Sequence, residues 1–127
     1  MKNIAEVFVL LYLALTFLQS AYDKIFDWKG NVEWLKSHFS KTFLNTNVPA
    51  ALGALTVMEL ISGIFSLAAA YLLFFYDNEE LGLWAGILSA ITFMMLLFGQ
   101  RIAKDYDGAR TIVIYFIPNI LLLYWLA

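Results

Sequence analysis

Glu59 is the residue with the most chemistry to offer, because it is the single charge in the otherwise apolar stretch Val48 to Tyr76. A carboxyl placed deep in a bilayer costs about 3 kcal/mol even on lenient insertion scales, so something must compensate for it. It can act as a proton-exchanging group or as a hydrogen-bond partner for a quinone-like or other polar ligand. The competing reading is a protonated structural Glu bonded to a neighbouring helix. Pro49 lies ten residues earlier, roughly 15 Å along a helix axis, which places Glu59 well inside the segment.

Other polar groups fall in or beside apolar runs. Tyr12, Thr16, Gln19 and Asp23 recur at i, i+4, i+7 and i+11, one stripe of a helix, with Lys24 and Asp27 following. Tyr12 and Thr16 suit helix packing, whereas the Gln19 amide needs partners in a dry environment. Lys24 can extend to the headgroups or turn inward toward an acid. Gln100 and Arg101 close the third apolar run. Arg101 is either a topology charge or a fork-shaped partner for Asp23 or Asp27. Asn119 follows Pro118 on a side shared with Thr111 and Tyr115. The proline frees a backbone carbonyl one turn earlier, so a kink is expected there, with Asn119 facing the interior.

These groups need elements to hold them, and the composition indicates which. The 127 residues are 62% hydrophobic and 14% charged, against roughly 25% charged in a soluble domain. A water-soluble globule of this size has too much surface for that composition. Four windows are long and apolar enough to cross a bilayer, about 4–26, 48–76, 80–103 and 109–127. At 1.5 Å per residue the second spans about 43 Å, which demands tilt or protrusion. Lys2 and the apolar run after it resemble a leader, but Gln19 is poorly suited to cleavage after Ala21, so a retained helix is expected.

The connection at 29–47 has helical periodicity of its own. Trp28, Val32, Leu35, Phe39 and Phe43 form an apolar stripe, while Lys29, Glu33, Ser37, Ser40 and Lys41 lie mostly off it. Asn31 is the expected cap, with Glu33 in the first turn. Asn45, Asn47 and Pro49 are expected to end this helix and start the next. Such a helix lies in the interface or folds over the bundle mouth. The remaining connections, 76–80 and 101–110, are short, which makes successive helices antiparallel neighbours. The fold class expected is therefore all-α, a single domain over 1–127. It is an antiparallel bundle of four transmembrane helices with an amphipathic helix between the first two.

Small residues at Gly53, Thr56, Gly63, Ser66 and Ala70 make a close-packing seam on the helix that carries Glu59. Gly82, Gly86, Ser89 and Ala90 form a second small face, suited to packing. Tyr124 and Trp125 suit an interfacial aromatic belt. Lys24, Lys29, Lys36, Lys41, Arg101, Lys104 and Arg110 fall on one side of the membrane and Lys2 alone on the other. The positive-inside rule then puts both termini outside, with 23–47 and 101–110 cytoplasmic, in what is expected to be a bacterial inner membrane.

Several chemistries are excluded. Without Cys there is no disulfide framework, thiol redox centre or thiolate metal site. His38 is the sole His, so paired-His haem ligation within one chain is impossible. Asp77, Glu79 and Glu80 read as a solvated turn, and no metal site is expected. A net charge of -2 gives no nucleic acid a surface to bind.

AYDKIFD (21–27) at the end of the first span, followed by MELISG (58–63) in the second, resembles the DoxX family of small four-helix membrane proteins. The match supports Lys24, Glu59 and Gly63 position by position and covers the chain in length and helix count, through short motifs. Ser20 stands where such proteins often have Gly. The family's name comes from a subunit associated with archaeal quinol oxidation and thiosulfate:quinone oxidoreduction. Other members resemble accessory subunits of membrane oxidoreductases, and distant relatives act as assembly chaperones. The resemblance implies an accessory subunit of a quinone-linked oxidoreductase system, not catalytic alone. Its ligand or proton-exchange residues are expected at Glu59, Gln19, Lys24, Arg101 and Asn119, with quinone as the possible bound cofactor. The partners expected are lipid and another membrane protein or a second copy. The alternatives are an assembly or scaffolding partner acting through lateral helix contacts and the amphipathic segment, and a proton-coupled small-molecule carrier.

Overall fold

Long charge-free runs become helices in an apolar solvent because a helix satisfies every backbone N–H and C=O within the segment itself. In the computed structural model, which describes residues 3–40 and 47–127, five helices follow one another: α1 (Ile4–Phe26), α2 (Trp28–His38), α3 (Val48–Tyr76), α4 (Glu80–Ile102) and α5 (Tyr106–Leu126). All but α2 are long and apolar enough to cross a membrane. The chain is an all-α, four-span integral membrane protein. Expectations resting on Lys2, Lys41, Phe43 and Asn45 lie outside the described residues.

Pro49 stands in the first turn of α3, where its missing N–H costs nothing. Asp77 ends that helix in the left-handed conformation at φ 52°; its N–H bonds to the Leu73 carbonyl at 3.2 Å and the Asn78 N–H to the Leu72 carbonyl at 3.3 Å. With Asn78 and Glu79 it makes a three-residue exposed turn into α4. The helix α5 continues through Pro118.

Each long helix packs on its successor in the bundle, α1 on α3, α3 on α4 and α4 on α5, and α1 closes more lightly on α5. Aromatic rings fill the space between α1, α4 and α5. Phe17 meets Phe93 with centroids 4.8 Å apart, and Tyr115 lies 6.4 Å from Tyr12 and 6.3 Å from Phe93. Leu10, Leu13, Leu73, Ala85 and Leu122 are buried around them. The outer surface is apolar as well. Phe8, Leu15, Ile64, Met94, Ile114 and Ile117 are exposed, the inverse of what water allows and what a lipid surround requires.

Glycines set the helix spacing. A Cβ at Gly86 would lie 2.8 Å from Leu123, and one at Gly82 2.9 Å from Leu126, so the small face of α4 is a packing surface for α5 as expected. A Cβ at Gly63 would come within 2.7 Å of Leu18 Cγ and 3.3 Å of the Leu18 backbone nitrogen. That contact fixes the register of α1 on α3, with residue 18 level with residue 63. Running antiparallel from there, the end of α1 at Phe26 falls level with about residue 55. The first turns of α3 therefore stand past α1, which is how a 29-residue helix fits beside one of 23.

Helix α2 covers that projecting end. It starts at Trp28, earlier than expected, so Asn31 is not its cap. The Asn31 amide lies within the first turn and donates to the carbonyls of Asp27 at 2.8 Å and Asp23 at 3.4 Å, stitching α2 to the end of α1. Glu33 is likewise past the first turn, which holds no acidic residue. The ring of Trp28 approaches Gly53. Trp34, absent from the expected stripe, stacks on His38 with centroids 4.7 Å apart.

Candidate functional site

The register just described brings Lys24 to Glu59. The ammonium Nζ stands 3.0 Å from Glu59 Oε1, with Glu59 1% and Lys24 17% exposed. From sequence alone, Lys24 belongs at the membrane edge and Glu59 two to three turns deeper. A direct pair then needs a water-filled pocket or an offset between helices. The offset is the answer. Residue 59 lies level with about residue 22, two positions from Lys24, and the long side chain spans the remainder by pointing inward.

Lys24 also donates to Ser20 Oγ one turn back, at 2.6 Å. Ser20, where the resemblance leads one to expect Gly, is therefore part of the site. The Lys24–Glu59 contact has charge-pair distance without hydrogen-bond alignment, since Glu59 Oε1 has no aligned donor among the described residues. The site thus combines a buried carboxylate, a cation fixed beside it and an acceptor oxygen still short of a donor. Such an oxygen can take a proton or a hydrogen bond from a ligand.

Beyond Glu59 the interior stays polar. Along one face of α3, Thr56, Glu59, Ser62 and Ser66 are all buried, and Ser89 and Thr92 of α4 are fully buried opposite them. Ser62 Oγ lies 3.0 Å from Thr92 Oγ1, and Thr92 donates to the Leu88 carbonyl at 2.8 Å. Thr56 donates to the Leu52 carbonyl at 2.7 Å. Since Thr92 uses its proton on Leu88, Ser62 is the donor between the two hydroxyls. Ser62→Ala is accordingly expected to cost about 0.5–1.5 kcal/mol in a detergent unfolding titration. Thr92→Val is expected to cost more, because it leaves Ser62 without an acceptor. The reverse order would mean that the hydroxyl pair does not bridge α3 and α4.

The five residues singled out from sequence do not form one cluster. Lys24 and Glu59 are joined. Asn119 is fully buried as expected, its Nδ2 donating to the Gly86 carbonyl at 3.0 Å, but that carbonyl lies about two turns further into the bundle than Glu59. Gln19 is exposed on the outer face in a shallow groove with Leu15, Leu18, Tyr22 and Leu67, turned away from the pair. Arg101 is exposed, its guanidinium 5.7 Å from the centre of the Tyr106 ring, and makes no ion pair among the described residues with Asp23 or Asp27. Helical spacing places Gln19 on the stripe with Tyr12 and Asp23, but α1 turns that stripe partly outward.

A cavity of about 340 Å³ lies between α2, the start of α3 and the end of α4. Leu52, Leu55, Met95 and Leu96 line it from α3 and α4, with Trp34 and His38 from α2. Leu55 precedes Glu59 by one turn on α3, but Ser20, Lys24 and Glu59 are not among the residues that line the cavity. Ser20, Trp34 and His38 were not among the expected site residues. His38 Nε2 stands 3.7 Å from Asp105 Oδ2 of the α4–α5 connection, beyond hydrogen-bond distance. Asp105 also caps α5 by accepting from the Gly108 N–H at 3.0 Å. No group of three or more potential metal ligands occurs among the described residues.

No protein-family model matches the chain, and no curated protein or solved structure matches it either.

Proposed function

We propose that this protein is a DoxX-like accessory subunit of a quinone-linked membrane oxidoreductase system. In this reading Glu59 and Lys24 together receive the polar head of a quinone-type ring compound. One observation carries the proposal, the buried Lys24–Glu59 contact at 3.0 Å; the apolar cavity lined by Leu55, one turn before Glu59, supports it. Lys24, Glu59 and Gly63 are the positions on which the family resemblance rests, and in the fold they are neighbours. The carboxyl offers a proton or an acceptor, the ammonium offers a donor, and the cavity offers space for an apolar ring within the usual range for small-molecule sites. The protein is proposed to lie in a bacterial inner membrane with both termini outside and the α2 side cytoplasmic, on the excess of Lys and Arg around α2 and the α4–α5 connection.

Trp28 and Trp34 stand near the cavity, so quenching of tryptophan fluorescence by a short-chain benzoquinone or naphthoquinone reports binding. Glu59→Gln is expected to weaken that binding tenfold or more, since a hydrogen bond to a charged group contributes about 1.5–3 kcal/mol. Equal affinity in the two proteins would remove Glu59 from the role.

A second reading, an assembly or scaffolding partner, is favoured by α5. Of the four long helices it buries the smallest share of its apolar window inside the bundle, leaving a wide face for another helix. That reading predicts stable co-purification with another membrane protein and indifference to quinone.

A further inference from the structure

The interior of the bundle contains more polar atoms than it has partners for. Ser66 Oγ, Ser89 Oγ and Asn119 Oδ1 are each buried without a hydrogen bond among the described residues, as is Glu59 Oε1. Ser66, Ser89 and Asn119 are 0% exposed. Leaving such atoms dry in an apolar interior is costly, and the usual remedy is bound water making about three hydrogen bonds to otherwise unsatisfied groups.

These atoms are arranged in order. The Ser62–Thr92 contact sets the register of α3 against α4, and one turn further on Ser66 and Ser89 stand level with each other on the same two buried faces. Neither hydroxyl is bonded to the other, so both keep a donor and acceptor sites free. Asn119 bonds to the Gly86 carbonyl, three residues from Ser89 along α4. Glu59 begins the series and Asn119 ends it, about 10 Å apart along the bundle axis. Past Asn119 the core turns wholly apolar, with Leu10, Leu73, Leu122 and Leu126 buried.

We propose that the seam between α3, α4 and α5 is a binding site for water molecules. They form a hydrogen-bonded file that joins Glu59 to Asn119 past Ser66 and Ser89. The file is blind. It meets the surface on the side where Lys24 is partly exposed, and the leucine layer closes it at the other end. Protons therefore exchange with the interior from one side only. A proton arriving on a water of the file moves by relay, each oxygen accepting one proton and releasing another. No net transfer across the bundle follows. This inference does not depend on a quinone ligand.

Hydrogen–deuterium exchange of the Asn119 side-chain amide tests it. Asparagine-labelled protein in lipid nanodiscs is transferred to D2O and followed by NMR, with the backbone amide of Leu122 as a reference for global opening. The Asn119 amide is expected to exchange at least tenfold faster than Leu122, and Ser66→Ala/Ser89→Ala is expected to slow it at least tenfold. In addition, liposomes bearing the protein are expected to dissipate a pH gradient no faster than empty liposomes. An Asn119 amide as protected as Leu122 would overturn the proposal. So would rapid exchange indifferent to the serine substitutions, since water would then arrive by another route, and protein-dependent proton leakage would overturn the blind end.

Discussion

The Lys24→Met protein is expected to be less stable than the wild type by about 3–5 kcal/mol, the cost of stranding one charge of a buried pair. Glu59 is 1% exposed and has no route to the headgroups, so without the ammonium an acidic group is left unpaired in the apolar interior. The opposite deletion should be milder. In Glu59→Gln, Lys24 is left unpaired, but it is 17% exposed and can swing its long side chain outward. Replacing both, as Lys24→Met/Glu59→Leu, should restore stability to roughly the wild-type value or above it, because apolar substitutes for a buried pair are often neutral or stabilising by about 1–4 kcal/mol. Unfolding titrations in mixed micelles on the four proteins would give the coupling between the two residues directly. A Lys24→Met protein within about 1 kcal/mol of wild type would mean that Glu59 has another compensating partner. Distance alone does not give this ranking. Arg110 and Asp107 approach to 2.8 Å, closer than Lys24 and Glu59, yet both are mostly exposed and contribute little.

Gly63 should be the most restrictive small position. Gly63→Ala is expected to cost about 1–3 kcal/mol from overpacking, and Gly63→Val more. The added carbon meets not only the Leu18 side chain but also its backbone nitrogen at 3.3 Å, so α1 itself must move. The Lys24–Glu59 contact lies one turn away across the same two helices, and widening their spacing weakens it. Leu18→Ala on the Gly63→Ala background should recover most of the loss, because the closest atoms belong to that side chain. Gly53→Ala is the control. A Cβ there meets only the Trp28 ring at 3.8 Å, ordinary contact, so the change should be neutral or stabilising by up to about 1 kcal/mol through helix propensity. Equal effects at Gly53 and Gly63 would show that close approach of α1 and α3 is not what Gly63 provides.

The spans were readable because an apolar window of bilayer length has one good solution, a helix, and the sequence shows each window as a run without charges. Glu59 stood out for the same reason, as the exception within such a run. Asn119 was legible too, since a polar amide next to a proline in an apolar helix is expected to turn inward. Gln19 and Arg101 were harder. Which side of α1 faces the bundle depends on how Leu10, Leu13 and Phe17 pack, and Gln19 lies off that face. Whether Arg101 finds a carboxylate depends on where the ends of α1 and α4 sit laterally, and it turned to Tyr106 instead.

The sequence by itself determined the number of spans, their order, the antiparallel arrangement and the presence of an internal carboxyl, because these follow from local hydrophobicity and loop length. Tertiary structure alone decided the register of α1 against α3. That register rests on the contact of Gly63 with Leu18, two residues 45 positions apart, and no local pattern encodes how far one helix slides along another. The slide decides whether Glu59 is an isolated buried acid or one half of an ion pair. Here it places Lys24 within 3.0 Å, and a charge that insertion energetics penalises acquires its partner from the far end of the preceding span.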